Sequence, residues 1–474
     1  MAPEHYDAII IGSGQSGTPL ASALAAANLK TAVVDRAHIG GTCVNEGCTP
    51  TKTMIASGRA AYTSRRGSVY GVTGGSNIAV DMQKVRQRKR SIVESWSKGG
   101  EERLVKNGVH VIKGEASFAG PKELFVWCTD GAERSLTTET IFINTGERPS
   151  RPDIPGLDDV PRERILDSTS IMELGEVPSH LVVVGGGYVG LEFGQLFRRF
   201  GADVTVVQRA KQLLPREDED IAQTMLDILR GDGITVRLSA SVEAVSPASP
   251  GMLVKITTDK GETAEVNASH LLLAAGRTPN TDMLQLSAAG IATTSRGYVE
   301  VDDMLRTNVH GVYALGDVHG GPAFTHISYD DFRVIRNNLL PKSMPSTAPK
   351  ATSTKSSLSR NLVPYVVYTD PQLGHVGLHA RDVSGRKTKT AKMPMSYVAR
   401  GIETEETRGV MKATVDAETG EILGFTCLGV DGGEIMAVVQ TAMLGGLKWW
   451  DLEAAVWAHP SWAESLNNLW AHLE

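Results

Sequence analysis

Apolar residues along this chain gather into short continuous runs, several of them closed by glycine, and two of these runs open the same larger pattern. Residues 6–11 (YDAIII) are of the kind buried on both faces of a parallel sheet. They meet Gly12-Ser13-Gly14-Gln15-Ser16-Gly17, then a small-residue stretch over 19–27 expected to be helical, then a strand over 31–34 ending on Asp35. The order returns at 181–184 with Gly185-Gly186-Gly187-Tyr188-Val189-Gly190, a helix over 191–200 and a strand over 204–207. Between them the spacing predicts a helix over 81–107 and strands over 109–113, 123–129 and 140–144. The helix carries Lys84, Arg86, Arg88, Lys89 and Arg90, read as a solvated face. A further strand is expected over 307–317, and residues 216–220 (REDED) as a solvated helix start. From 362 onward the pattern changes to strands over 365–368, 409–415 and 422–430 and helices over 434–444 and 452–455.

Strand, glycine turn and helix in that order carry chemistry. In G-x-G-x-x-G the glycines permit a tight turn, close approach of a pyrophosphate and tight helix packing, and an acid at the next strand end can bind a ribose diol. Gly12, Gly14, Gly17 and Asp35 meet that description, the acid standing 18 positions past the last glycine. In the second unit Gly185, Gly187 and Gly190 fit, but the same offset gives Gln208, followed by Arg209. A carboxylate there would repel the 2'-phosphate of NADP, whereas glutamine does not and arginine can pair with it. The expectation is NADPH, with NADH less favoured. Two such units suggest two cofactors face to face.

Residues 271–280 (LLLAAGRTPN) echo 141–149 (IFINTGERP), each an apolar strand ending in a glycine turn before arginine and proline. Such an echo is expected where a chain leaves and re-enters one domain, and it marks Thr145, Gly146 and Gly276 as cofactor-side turn residues. Asp317, closing the run at 307–317, could accept hydrogen bonds from a cofactor's ribityl hydroxyls. Residues 341–360, rich in Ser, Thr, Pro and Lys, read as a mobile surface insertion.

At 474 residues the chain is long enough for two or three domains, and 41% hydrophobic with 22% charged residues is the balance of a globular protein. Net charge of -6 argues against nucleic acid, and no apolar run has the length of a membrane span. Four cysteines in so long a chain make no disulfide framework, which points to a reducing compartment, the cytoplasm. Two of the four stand five apart in Gly40-Gly41-Thr42-Cys43-Val44-Asn45-Glu46-Gly47-Cys48-Thr49-Pro50-Thr51-Lys52-Thr53. Gly40 and Gly41 let backbone approach something flat, and Gly41 and Thr42 are candidate cofactor-side residues. C-x4-C lacks the bite of a zinc pair and no second Cys/His cluster accompanies it, so no metal is expected there. A helix beginning over 49–53 would set Lys52 on the same face as Cys48 and favour a thiolate at that helix start. Cys43 and Cys48 therefore read as a redox dithiol; Cys128 and Cys427, within strands, read as core. Near the end, Ala458-His459-Pro460-Ser461-Trp462-Ala463-Glu464 offers a general acid, with Pro460 expected as the first helical residue and Glu464 orienting His459.

Together GGTCVNEGCTPTKT, both glycine fingerprints, YALGD and HPSWAE resemble the flavin-dependent pyridine nucleotide-disulfide oxidoreductases over essentially the full length. The nearest branch is the mercuric-reductase-like one, which includes reductases of oxidised thiocyanate and other reactive electrophiles. The resemblance implies an α/β fold with two Rossmann-like domains, for FAD and NAD(P), and a C-terminal α+β interface domain. It divides the chain into FAD domain (1–155, returning at 283–340), NAD(P) domain (156–282), insertion (341–360) and interface domain (361–474). It implies a homodimer with a shared active site and a small-molecule substrate. Carried over, Gly12, Gly14, Gly17, Asp35 and Asp317 would bind FAD, and Tyr188 would shield the nicotinamide pocket. Lys52 would lie near the flavin, paired with Glu192. Cys48 would be the charge-transfer thiol, Cys43 the interchange thiol, and His459 with Glu464 would serve the partner's dithiol. Departures exist: the final residues, 470–474, hold no cysteine pair to hand over Hg(II), and the chain begins directly at the first strand. Small disulfides or reactive sulfur electrophiles are the expected substrates. Metal-ion reduction, disulfide formation and a sensor that does not turn over are the alternatives.

Overall fold

The computed structural model describes residues 3–75, 78–340, 356–357, 360 and 362–474, so most of the expected insertion at 341–360 lies outside the described residues. The chain divides into two compact units. The first holds residues 1–53, 87–150 and 276–361; the second holds 54–86, 151–275 and 362–474. Among the described residues no helix is long and apolar enough to cross a membrane.

The first unit is built on the strand Glu4–Ile11, flanked in parallel by Thr31–Asp35 and Glu133–Ile143. His110–Gly120 adds in parallel beyond Thr31–Asp35, and Val312–Ala314 beyond Glu133–Ile143. The inner strands bury both faces, with Ile9, Ile10, Val33, Ile141 and Phe142 fully enclosed, which is why they read as unbroken apolar runs. Helix Gly17–Ala26 covers one side with Leu20, Ala21 and Leu24. The strands expected over 109–113 and 140–144 are longer than their apolar cores. His110–Gly120 continues past the parallel sheet into an antiparallel meander with Glu123–Cys128 and Glu133–Ile143, where alternate residues face solvent and the apolar run disappears. Conversely, of 307–317 only Val312–Ala314 is strand, because Gly316 takes φ +68° and turns the chain. The two echoing segments meet: Glu147–Pro149 pairs antiparallel with Arg277–Pro279.

The second unit contains a five-stranded parallel sheet in the order Thr235–Arg237, Asp203–Val207, His180–Val184, His270–Leu273, Ile165–Leu166. Helix Tyr188–Phe200 buries most of its length against it. An antiparallel sheet of five strands follows, in the order Tyr365–Val367, Gln372–Gly377, Ile422–Gly429, Val410–Asp416, Thr388–Pro394. Its face packs helix Gly432–Leu444 and the C-terminal Leu466, Leu469 and Trp470 over Met411, Phe425 and Cys427. The architecture is the expected α/β one with a C-terminal α+β portion.

Cys128 and Cys427 are buried, as expected. Lys89 departs from expectation. Helix Met82–Lys106 does expose Lys84, Arg88 and Arg90, but Lys89 is 3% exposed, since a helix turning 100° per residue cannot keep five neighbouring positions in water.

Candidate active site

The dithiol spans the junction of two helices. Cys43 lies in the one-turn helix Gly41–Asn45, and Cys48 opens helix Cys48–Arg65, one residue before the expected start. Pro50 falls in its first turn, where its missing N–H leaves nothing unpaired. Neither cysteine is in a disulfide; Cys48 is exposed and Cys43 partly so. A hydrogen bond to Cys48, burial, and the charge Cys48 carries when ionised push the Cys43 thiol up; the Thr325 hydroxyl and the Lys52 cation pull it down. Cys48 Sγ is 3.4 Å from Thr325 Oγ1. The pair is thus arranged to carry one negative charge at a time, with Lys52 favouring it. Thr325 begins helix Thr325–Leu339, distant in sequence, and no motif announced it.

The first fingerprint has the geometry a pyrophosphate needs. Gly12 adopts φ +100°, and a Cβ on Gly17 would sit 2.3 Å from Gly12 O, so the helix meets the strand with no room for a side chain. Asp35 Oδ2 accepts from Ser13 N at 2.8 Å and Ser13 Oγ at 2.6 Å, fixing the loop; a carboxylate has lone pairs left for a diol. A Cβ on Gly41 would fall 2.7 Å from Gly14 Cα, which brings the backbone beside exposed Thr42 against the same loop. Asn144, unmarked in the sequence reading, is the hub: Nδ2 donates to Gly12 O at 2.9 Å and Oδ1 accepts from Ser16 Oγ at 2.7 Å. Next to it, Thr145 Oγ1 donates to Asn280 O at 2.8 Å, and Gly146 O accepts from Asn280 N at 2.9 Å. Gly276 O accepts from Ser150 N at 3.0 Å, tying the turn on the other segment. Asp317 follows Gly316, whose N–H donates to Asp331 Oδ2 at 2.7 Å. Burial pushes the Asp317 carboxyl up to about 6 and the charge of Glu147 adds to this, against Arg277 and His319. A carboxylate so poor in partners suits hydroxyl donors from a ligand. These residues fit a flavin dinucleotide.

The second fingerprint repeats the first. Gly185 adopts φ +116°, and a Cβ on Gly190 would lie 2.1 Å from Gly185 O. Gln208 is buried; its Oε1 accepts from Gly186 N at 3.0 Å and its Nε2 donates to Gln212 O at 3.2 Å. Arg209 is exposed, as is Tyr188, which opens helix Tyr188–Phe200 just after Gly187. Glu192, buried one turn along, accepts from Tyr368 N at 2.8 Å through Oε1.

At the C-terminus His459 Nδ1 lies 2.9 Å and 3.0 Å from the two carboxylate oxygens of Glu464, with the ring 66% exposed. Pro460 is not the first helical residue. The His459-Pro460 peptide is cis and the helix is Ser465–Leu469; Ser461 Oγ accepts from Glu464 N at 3.2 Å, so a turn rather than a helix brings the carboxylate to the ring.

Known proteins resemble this chain over nearly its whole length. Residues 6–331 match the model of the pyridine nucleotide-disulphide oxidoreductases and residues 363–470 that of their dimerisation domain. A probable pyridine nucleotide-disulfide oxidoreductase, RclA of Escherichia coli, is 36% identical over 98% of this chain and 99% of its own length. A mercuric reductase of Bacillus cereus is 33% identical over 98% of this chain and 70% of its own. The solved structure described as the Cu(II) complex of the HOCl-induced flavoprotein disulfide reductase RclA from Escherichia coli superposes with a TM-score of 0.87 at 35% identity, covering 99% of each chain.

Proposed function

Because the chain belongs to the FAD-dependent pyridine nucleotide-disulfide oxidoreductase family, we propose that it takes electrons from NADPH and delivers them through the Cys43-Cys48 pair to a small disulfide or a reactive sulfur electrophile. The observation that carries this reading is the hydrogen-bonded pair Cys43 and Cys48 at the start of helix Cys48–Arg65, within the influence of Lys52 and Thr325.

FAD, held along Gly12, Gly14, Gly17, Asp35, Gly41, Thr42, Thr145, Gly146 and Asp317, supplies the two-electron relay between nicotinamide and dithiol. Gly185, Gly187 and Gly190 seat the nicotinamide dinucleotide's pyrophosphate, Gly276 shapes the adjoining turn and Tyr188 covers the nicotinamide pocket. NADPH is preferred because Gln208 presents an amide where a carboxylate would repel a 2'-phosphate, and exposed Arg209 stands beside it to pair.

Lys52 biases the dithiol toward its ionised form. The Cys43 thiolate attacks the electrophilic sulfur, forming a mixed disulfide and expelling a thiolate that His459 protonates. Cys48 then attacks Cys43 Sγ, which releases the second half of the substrate and closes the Cys43-Cys48 disulfide. Two electrons from NADPH reopen it. Glu464 holds Nδ1 of His459, leaving Nε2 as the nitrogen that handles the proton. The active unit is a homodimer in which His459 and Glu464 serve the dithiol of the other subunit, with the dimerisation domain as support. Four cysteines in 474 residues support a reducing, cytoplasmic setting.

The E. coli relative's description as an HOCl-induced disulfide reductase supports a reactive sulfur substrate. A second reading, Hg(II) or another soft ion as the electron acceptor, is favoured by the mercuric reductase relative and by the affinity of thiolates for soft ions.

The test is NADPH oxidation by the purified flavoprotein against glutathione disulfide, lipoamide, a thiocyanate oxidant and Hg(II) with excess thiol. Cys43→Ser should keep the flavin absorbance and lower sulfur-substrate turnover by roughly three orders of magnitude. Wild-type turnover in Cys43→Ser would end the dithiol mechanism.

A further inference from the structure

Glu147 opens strand Glu147–Pro149 in the first unit, directly after Gly146, and is buried. Both of its carboxylate oxygens are held. The Tyr298 hydroxyl donates to Oε1 at 2.5 Å and Arg277 Nε to Oε2 at 3.2 Å, while Arg277 Nη2 donates to the Glu147 carbonyl at 2.8 Å. The pairing of Arg277–Pro279 with Glu147–Pro149 fixes this arrangement.

Tyr298 carries the contact on to Asp317. A Cβ on Gly320 would lie 3.4 Å from the Tyr298 ring, and Gly320 N donates to Asp317 O at 3.0 Å. Beside it, Val299 N donates to Val318 O at 3.0 Å. The turn that presents Asp317 is therefore strapped to the tyrosine that holds Glu147.

Charged groups reach Asp317 from each neighbouring element. Glu147 and Arg277 act from the two-stranded ribbon, His319 from the turn itself and Asp331 from helix Thr325–Leu339. Asp331 is already answered: Arg360 donates to its Oδ1, and His319 Nε2 lies 3.0 Å from its Oδ2. Arg296 is exposed, with its guanidinium 5.3 Å from the Tyr298 ring centre. Burial first, and the Glu147 charge second, hold the Asp317 carboxyl up at about 6; Arg277 and His319 pull it down, and Asp331 adds to the rise. At Asp317 the Glu147 charge thus outweighs that of its own partner, Arg277.

We propose that Glu147 is a positioning residue for the flavin: a second carboxylate, fixed by Tyr298 and Arg277, that acts through Asp317 and ties FAD binding to pH. The inference rests on the reading of Asp317 as the carboxylate that takes the ribityl hydroxyls. Its direction follows from linkage. Hydroxyl donors favour the ionised carboxylate, so in acid FAD binding must first remove a proton from Asp317. The dissociation constant is then level above about pH 6 and rises by up to about tenfold per pH unit below it. Glu147 moves this break toward neutrality, and Arg277 moves it the other way.

The test dilutes the holoenzyme serially at about pH 7.5 and about pH 5 and reads released flavin by fluorescence, which gives the FAD dissociation constant at each pH. The ratio of the two constants within one protein cancels any general loss of affinity that a variant suffers. The native protein should bind FAD about tenfold more weakly at the lower pH. In Glu147→Gln, which keeps an acceptor for Tyr298, the ratio should fall to about fourfold or less, and in Arg277→Gln it should rise to about thirtyfold or more. A ratio in Glu147→Gln equal to the native one, with FAD bound normally at about pH 7.5, overturns this proposal and leaves the flavin reading standing. So does a fall in both variants, which would mean packing rather than charge. Native protein that holds no FAD at about pH 7.5 removes the flavin reading itself, and this inference with it.

Discussion

Asp35 and Gln208 stand at the same offset from their fingerprints and make the same bond, each accepting from the backbone N–H of the second motif residue, Ser13 or Gly186. Charge is what distinguishes them. Gln208→Glu keeps the acceptor and adds a negative charge beside the expected 2'-phosphate. The ratio of kcat/KM for NADPH over NADH should fall at least about tenfold, read by steady-state kinetics with both nucleotides. An unchanged ratio would remove Gln208 from the specificity argument. At this scale the sequence was readable wherever chemistry is local. The spacing of Cys43, Cys48 and Lys52, and of the glycines with Asp35, carries its own geometry. Thr325 beside Cys48, and Tyr365 between Glu217 and His379, were invisible because separations of 277 and 148 residues leave no pattern in one chain.

At the scale of elements, buried parallel strands were legible because both faces are apolar, while the meander His110–Gly120 to Glu133–Ile143 was truncated because one face is wet. The turn at Ser461 escaped notice since proline marks helix starts and turns alike. The segment around Glu217 is where an element's tie to its neighbour can be titrated. Burial pushes Glu217 up to about 7 from the ordinary 4.5. Its folded value lies above its unfolded one, so the protein loses stability as pH rises from 4.5 through about 7. The loss is on the order of 3 kcal/mol. His375, pushed down to about 3 by burial, acts oppositely: its contribution is lost as pH falls below the ordinary 6.5. Above that point the Glu217 slope stands alone. Glu217→Gln should therefore melt higher than the parent at about pH 8, by the equivalent of roughly 3 kcal/mol, with little difference at about pH 5. Equal melting at both values would mean the carboxyl ionises without penalty.

For the whole molecule, a shared active site can be tested without any structure of the assembly. A heterodimer of a Cys43→Ser chain with a His459→Gln chain has one site damaged twice and one intact, if thiol and imidazole come from different chains. Co-expressed and purified through two tags, it should recover up to about half the wild-type turnover, whereas each homodimer stays low. Turnover no better than the two homodimers would place both groups on one chain. The antiparallel pairing of Glu147–Pro149 with Arg277–Pro279 has a consequence for how such a molecule came to be. The ends of the intervening stretch, 151–275, lie as close as the two legs of a hairpin, with Ser150 N only 3.0 Å from Gly276 O. A loop of two to five residues spans that gap. The two-stranded ribbon is therefore closed at this point, and residues 151–275 are an insertion at a hairpin tip. Lineages could acquire, exchange or remodel it there without rethreading a single strand of the host.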